Sequence, residues 1–131
     1  MKLLLDTHIW VWSVGQPARL SKRVAKALGN PANELWVSPI STWELLLLYR
    51  KGRVVLEPDA EIWFAAAHSR GPFKEAPVTH DVAMETEKVV IPHRDPADRF
   101  LAATAKVYGL TLVTADDNLL SGSGYEVMAN R

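Results

Sequence analysis

The run Leu3-Leu4-Leu5 is apolar at every position and too short for a helix. A segment of that kind is a strand covered on both faces, the situation of a central strand in a parallel sheet. "LTLVT" (110–114) has the same character. Each run leads into an acid: Asp6 directly after the first, Asp116 two residues after the second. Inside the sheet an ionised carboxylate is costly. At the carboxyl end of a strand it looks into the crevice where open α/β sheets bind ligands. The plain alternative is a polar stop that caps the next segment.

The segments between these runs carry helical patterns. Leu20, Val24, Ala27 and Leu28 recur at helical spacing, with Ser21 as N-cap and Gly29 as the stop. "ELWVS" (34–38) reads as a second strand, and "SPISTWELLLLYRKG" as a helix capped by Ser38, with Pro39 in its first turn and Gly52 at its end. Residues 59–68 and 81–89 read as two further helices. "HRDPADRFLAATAKVYG" predicts a helix with Asp95 at the cap, Pro96 at the first position and Gly109 at the end. "SGSG" is a loop and "YEVM" (125–128) a last short strand. Strands alternating with helices predict an α/β fold: one domain over residues 1–131, a small parallel β-sheet flanked by helices on both faces.

A chain of 131 residues can bury a real core. Its 15 basic and 15 acidic side chains balance, so any nucleic-acid surface must come from local patches. The absence of cysteine excludes disulfides, thiolate zinc sites and cysteine nucleophiles. No run reaches the length of a membrane span, and the apolar stretch before Asp6 is too short for a signal peptide. A soluble, cytoplasmic protein with no membrane association is expected.

Four acids occupy corresponding positions in this pattern. Asp6 and Asp116 follow strands, while Glu44 and Asp98 lie in the first turns of helices. Strand carboxyl ends and the starts of the following helices share one edge of a parallel sheet, so these four side chains can converge. Each also has a local explanation. Ser41-Thr42-Trp43-Glu44 matches a capping box, Asp98 favours its helix dipole, and Asp116-Asp117-Asn118 suits a turn. Those explanations leave the shared edge unaccounted for. Clustered carboxylates repel unless a cation sits among them, and oxygen-only donors suit Mg2+ or Mn2+. Such a cluster performs phosphodiester hydrolysis with a metal-activated water. The histidines lack zinc-like spacing, and His8 and His93 read as structural or substrate-facing.

"LLLDTHIWVW", "SPISTWEL", "HRDPADRFLAATA" and "LVTADDNL", in this order, resemble the PIN domain, in particular the VapC-type toxins of bacterial toxin–antitoxin systems. The resemblance implies a small parallel sheet with helices on both sides and a divalent ion surrounded by Asp6, Glu44, Asp98 and Asp116 as catalytic and metal-binding residues. It implies that the Thr7 and Thr114 hydroxyls assist by hydrogen bonding. Asp95 either supports the site or only caps its helix, and the cap is the simpler reading. RNA as substrate, a homodimer and a cognate antitoxin of VapB type are likewise what the resemblance implies.

Candidate phosphate contacts are Arg50, Lys51, Arg53, Arg70, Lys74, Arg94 and Arg99. The helix over 40–49 is apolar nearly all round, so it must bury more than one face, one of them against a partner chain. Five tryptophans, Trp10 and Trp12 among them, exceed what a core this small needs and suggest an exposed apolar groove. Two other classes of protein stay open at this point. A PIN fold kept as a binding or scaffold module usually lacks one or more of the acids, all present here. A phospho-acceptor signalling domain wants a lysine after its penultimate strand, where this chain reads "TADDN".

Overall fold

Leu3, Leu4 and Leu5 lie in β1 (Lys2–Leu5) with no exposed surface, at the centre of a five-stranded sheet. The computed structural model describes residues 1–92 and 95–131, with Arg70 described by its backbone alone. His93, Arg94 and the Arg70 side chain, singled out above, lie outside the described residues.

The other strands are β2 (Glu34–Val37), β3 (Phe73–Glu75), β4 (Thr111–Thr114) and β5 (Glu126–Ala129). The order across the sheet is β3-β2-β1-β4-β5, and every neighbouring pair is parallel, with Leu3 opposite Leu35 on one side and Thr111 on the other. Successive strand residues face opposite ways, so the continuous leucine run feeds two cores. Leu3 and Leu5 join Ile9, Trp10, Val24, Leu45 and Ala67 on one face. Leu4 joins Leu101, Ala102, Ala105, Leu112 and Leu119 on the other. Full burial of each leucine is worth about 1.5–3 kcal/mol.

The helices are α1 (Thr7–Gly15), α2 (Lys22–Gly29), α3 (Pro39–Arg50), α4 (Ala60–Arg70), α5 (His80–Glu85), α6 (Pro96–Tyr108) and α7 (Asp117–Leu120). Side-chain caps start most of them: Ser21 accepts from the Val24 amide, Asp59 from Ile62 and Asp95 from Ala97. Such caps each contribute about 1 kcal/mol. Gly109 ends α6 in the left-handed region (φ 65°), where a β-carbon is strained.

Four details differ from the sequence reading. Residues 7–15 form a helix that periodicity does not reveal, because α1 is apolar on most sides. Phe73-Lys74-Glu75 adds an edge strand too short and too polar to read as one. The helix expected over 81–89 ends at Glu85, and Val90 instead bridges to Ser123. The capping box at Ser41 does not form: Ser38 is the cap of α3, and Ser41 is buried one turn in.

Candidate metal centre

The chain leaves β1 for β2 and β3 on one side of the sheet, then returns to β4 and β5 on the other. The β1–β4 gap is therefore the switch point, where open sheets leave a crevice beyond their carboxyl ends. The ladder runs one residue past β1, since the Asp6 amide donates to the Val113 carbonyl at 3.0 Å. That bond fixes Asp6 at the mouth of the gap. Asp116 begins α7 on the opposite bank, its Oδ1 accepting from the Asn118 amide at 2.8 Å. Glu44 comes from α3, and Asp95 and Asp98 from the start of α6. All five line one cleft of about 750 Å3.

Within it, Glu44, Asp95 and Asp98 each offer an oxygen within 4.8 Å of the others. Asp95 thus does two things. Its Oδ1 caps α6 through the Ala97 amide at 3.0 Å, and its carboxylate stands beside Glu44 and Asp98. The structure brings Asp6 and Asp116 to the same cleft, outside that closest trio.

Two threonines tie the floor together. The Thr114 hydroxyl donates to Asp6 Oδ2 at 2.7 Å and accepts the Asp116 amide at 3.0 Å. The Thr7 amide donates to Asp6 Oδ1 at 2.7 Å, while its hydroxyl donates to Glu44 Oε1. Both threonines are buried, so each hydroxyl is oriented by packing as well as by its bonds.

The electrostatics follow from burial and crowding. Burial pushes the Asp98 carboxyl up to about 8, with Asp95, Asp6, Asp116 and Glu44 pushing in the same direction. Burial also raises Glu44, against the hydrogen bond from Thr7. Asp6 is raised by burial, opposed by the Thr114 hydroxyl, the Thr7 amide and the nearby His8. Three acids that resist ionisation at one spot are stabilised as anions by a cation among them. An all-oxygen donor set, partly open to solvent, suits a hard divalent cation.

The sequence model of the PIN domain matches residues 3–122. The chain belongs to the PIN domain family. It is 36% identical over 124 residues to Ribonuclease VapC22 of Mycobacterium tuberculosis (strain ATCC 25618 / H37Rv), covering 91% of this chain and 90% of that protein. VapBC2 of Rickettsia felis bound to a promoter DNA fragment shares the fold, with a TM-score of 0.72 at 15% identity and 98% of both chains covered. FitAcB of Neisseria gonorrhoeae does so with a TM-score of 0.68 at 22% identity, over 98% of this chain and 97% of the other.

Several basic residues of this PIN domain are occupied away from the cleft. Lys74 pairs with Glu34 at 3.0 Å, and Arg99 donates to the Thr86 carbonyl at 2.9 Å. Arg53 does line the cleft, and so does Arg19, which the sequence reading passed over. Arg19 sits in the short turn after α1, with no local pattern to mark it, and lines the cleft together with His8 and Trp12 of α1. Trp10 is wholly buried against Trp63, Phe64, His68 and Phe73, whereas Trp12 faces the cleft.

Proposed function

We propose that this PIN domain is a metal-dependent endoribonuclease that acts as the toxin of a cytoplasmic toxin–antitoxin pair. The observation that carries the reading is the convergence of Asp6, Glu44, Asp95, Asp98 and Asp116 on the switch point, from positions spread across the whole chain. Its relatedness to Ribonuclease VapC22 over most of both chains supports the RNA substrate.

Glu44, Asp95 and Asp98, with Asp6 and Asp116 in the same cleft, would hold Mg2+ or Mn2+. A divalent ion supplies charge stabilisation at phosphorus and makes water a competent nucleophile near neutral pH. The side chains position the reaction. The Thr114 and Thr7 hydroxyls keep Asp6 and Glu44 turned into the cleft. The acids on the rim orient the attacking water, and Arg53 and Arg19 offer charge-assisted hydrogen bonds to the flanking phosphates. Water adds to phosphorus and the 3′ oxygen departs with a proton, leaving a 5′ phosphate and a 3′ hydroxyl.

Assembly follows from α3. Leu45 is buried in the core, but Trp43 is 50% exposed and meets Ile40, Pro96, Ala97 and Phe100 in an apolar patch. We assign that patch to a homodimer. An antitoxin partner of VapB type is supported by the VapBC complexes among the fold's neighbours. No helix among the described residues is long and apolar enough to cross a membrane.

The test is direct. Purified protein should cleave RNA in magnesium or manganese, stop on chelation, lose activity as Asp6→Ala, and leave 5′ phosphate ends. Products ending in a 2′,3′-cyclic phosphate would mean attack by the ribose hydroxyl and would falsify the hydrolytic mechanism.

A further inference from the structure

One wall of the cleft has no part in holding an ion. His8 and Trp12 project from a single face of α1, at the four-residue spacing that stacks side chains along a helix, and Gln16 follows at its C-cap. The Arg19 guanidinium lies over the Trp12 ring, 4.4 Å from its centroid, and the His8 ring meets Trp12 at 5.7 Å with a tilt of 47°. Trp12 packs on the core, so the assembly has a firm base. Arg19 and His8 are exposed above it. Arg53, Val54 and Val55 stand along the same cleft. Neither Arg19 nor Arg53 forms an ion pair among the described residues, although both border a cleft rich in carboxylates.

A shelf of flat groups, one of them cationic, is an unusual lining for an acidic metal cleft. An ion needs none of it. A nucleobase does: bases stack on aromatic rings and on guanidinium planes, and the same arginine can reach a backbone phosphate. We propose that Trp12, Arg19 and His8 form a nucleobase subsite beside the carboxylates, which takes the base next to the scissile phosphate in an unstacked conformation. The substrate is accordingly single-stranded at the cleavage step, in a loop, bulge or tail. A duplex keeps its bases stacked on their neighbours and buries their faces, leaving the shelf without a partner. This inference rests on the ribonuclease reading for its substrate class, but its test reads binding and does not require cleavage.

Binding is measured by fluorescence anisotropy of a short fluorescein-labelled RNA, single-stranded or annealed to its complement, with calcium replacing magnesium. The parent should bind the single strand more tightly than the duplex. Trp12→Ala should weaken single-strand binding about tenfold, from the usual contribution of one stacked base, and leave duplex binding unchanged. Because Trp12 also packs on the core, two milder variants accompany it, each checked by its melting temperature. Trp12→Phe should keep most of the affinity. Arg19→Gln should weaken the single strand and flatten the salt dependence, by about 0.7 in the log–log slope for one lost phosphate contact. Equal binding of single strand and duplex by the parent overturns the subsite, as does unchanged single-strand binding by Trp12→Ala and Arg19→Gln. If the subsite behaves as expected but magnesium never produces cleavage, the ribonuclease reading fails instead, so the two failures are distinguishable.

Discussion

Asp6 on the floor of the cleft and Asp98 on its α6 wall are both buried carboxylates, yet the protein treats them differently. Asp6 sits at the end of a strand, where the Thr7 amide and the Thr114 hydroxyl each donate to one of its oxygens. Those bonds oppose the upward push of burial. Asp98 sits in the first turn of a helix that Asp95 already caps. There burial and four neighbouring acids carry its carboxyl up to about 8. Both carboxyls are raised, but the floor's oxygens are held by two donated hydrogen bonds, while the wall's carboxyl is crowded by four acids. A cation among them would stabilise both as anions.

The floor's side of this contrast breaks most visibly at Thr114. Thr114→Val keeps the shape but removes the donor to Asp6 and the acceptor for the Asp116 amide. It should cost about 2 kcal/mol in chemical denaturation, as buried partners left unsatisfied usually do. Metal affinity should fall by about 10–100-fold through loss of the orienting bond. A variant as stable as the parent, binding metal as well, would show that the hydroxyl is incidental.

The wall's side is sharpened by pH. In the unfolded chain Asp98 titrates near 3.8, and in the metal-free fold near 8. A raised acid keeps its proton longer when folded, so its contribution to stability is complete below about pH 4 and is lost as pH rises through about 8. With chelator present, the parent should lose stability relative to Asp98→Asn as pH is raised across that window. A difference between the two that stays flat with pH would contradict the account of the wall.

The smallest effect is expected far from both acids. Trp43 is half-exposed on α3, so Trp43→Glu should change monomer stability by no more than about 0.5 kcal/mol. It should nevertheless shift the protein towards monomer in sedimentation. A stable variant that assembles like the parent would remove the α3 patch from the interface.

The parts of this molecule visible in the sequence are those where a residue's local and tertiary demands agree. The leucine run of β1 is buried on both faces, and it reads that way because no polar residue interrupts it. The caps Ser21, Ser38 and Asp95 are legible because their chemistry is local. Edge strand β3 was not legible: only Phe73 is apolar, and its pairing with β2 is a tertiary event. The end of α5 was missed because Val82 and Val89, seven residues apart, mimic a helical face, while Val89 is buried from the following loop. In the cleft, Asp6, Glu44, Asp98 and Asp116 could be selected by their shared edge. Asp95 read most simply as a cap, since capping explains an Asp before a proline completely. The second use of that carboxylate, beside Glu44 and Asp98, exists only in three dimensions.

The central claim is that the wall needs a cation, and thermal melts of the parent and Asp98→Asn, in chelator and in excess magnesium, test it most directly. In chelator the variant should be as stable as the parent or more so, since relief of repulsion offsets a helix-start loss of about 0.3–1 kcal/mol. Magnesium at a hundred times its dissociation constant should stabilise the parent by about 2.7 kcal/mol and the variant much less. A destabilised variant whose response to magnesium equals the parent's would mean that Asp98 serves only its helix, and the five-acid site would have to be abandoned.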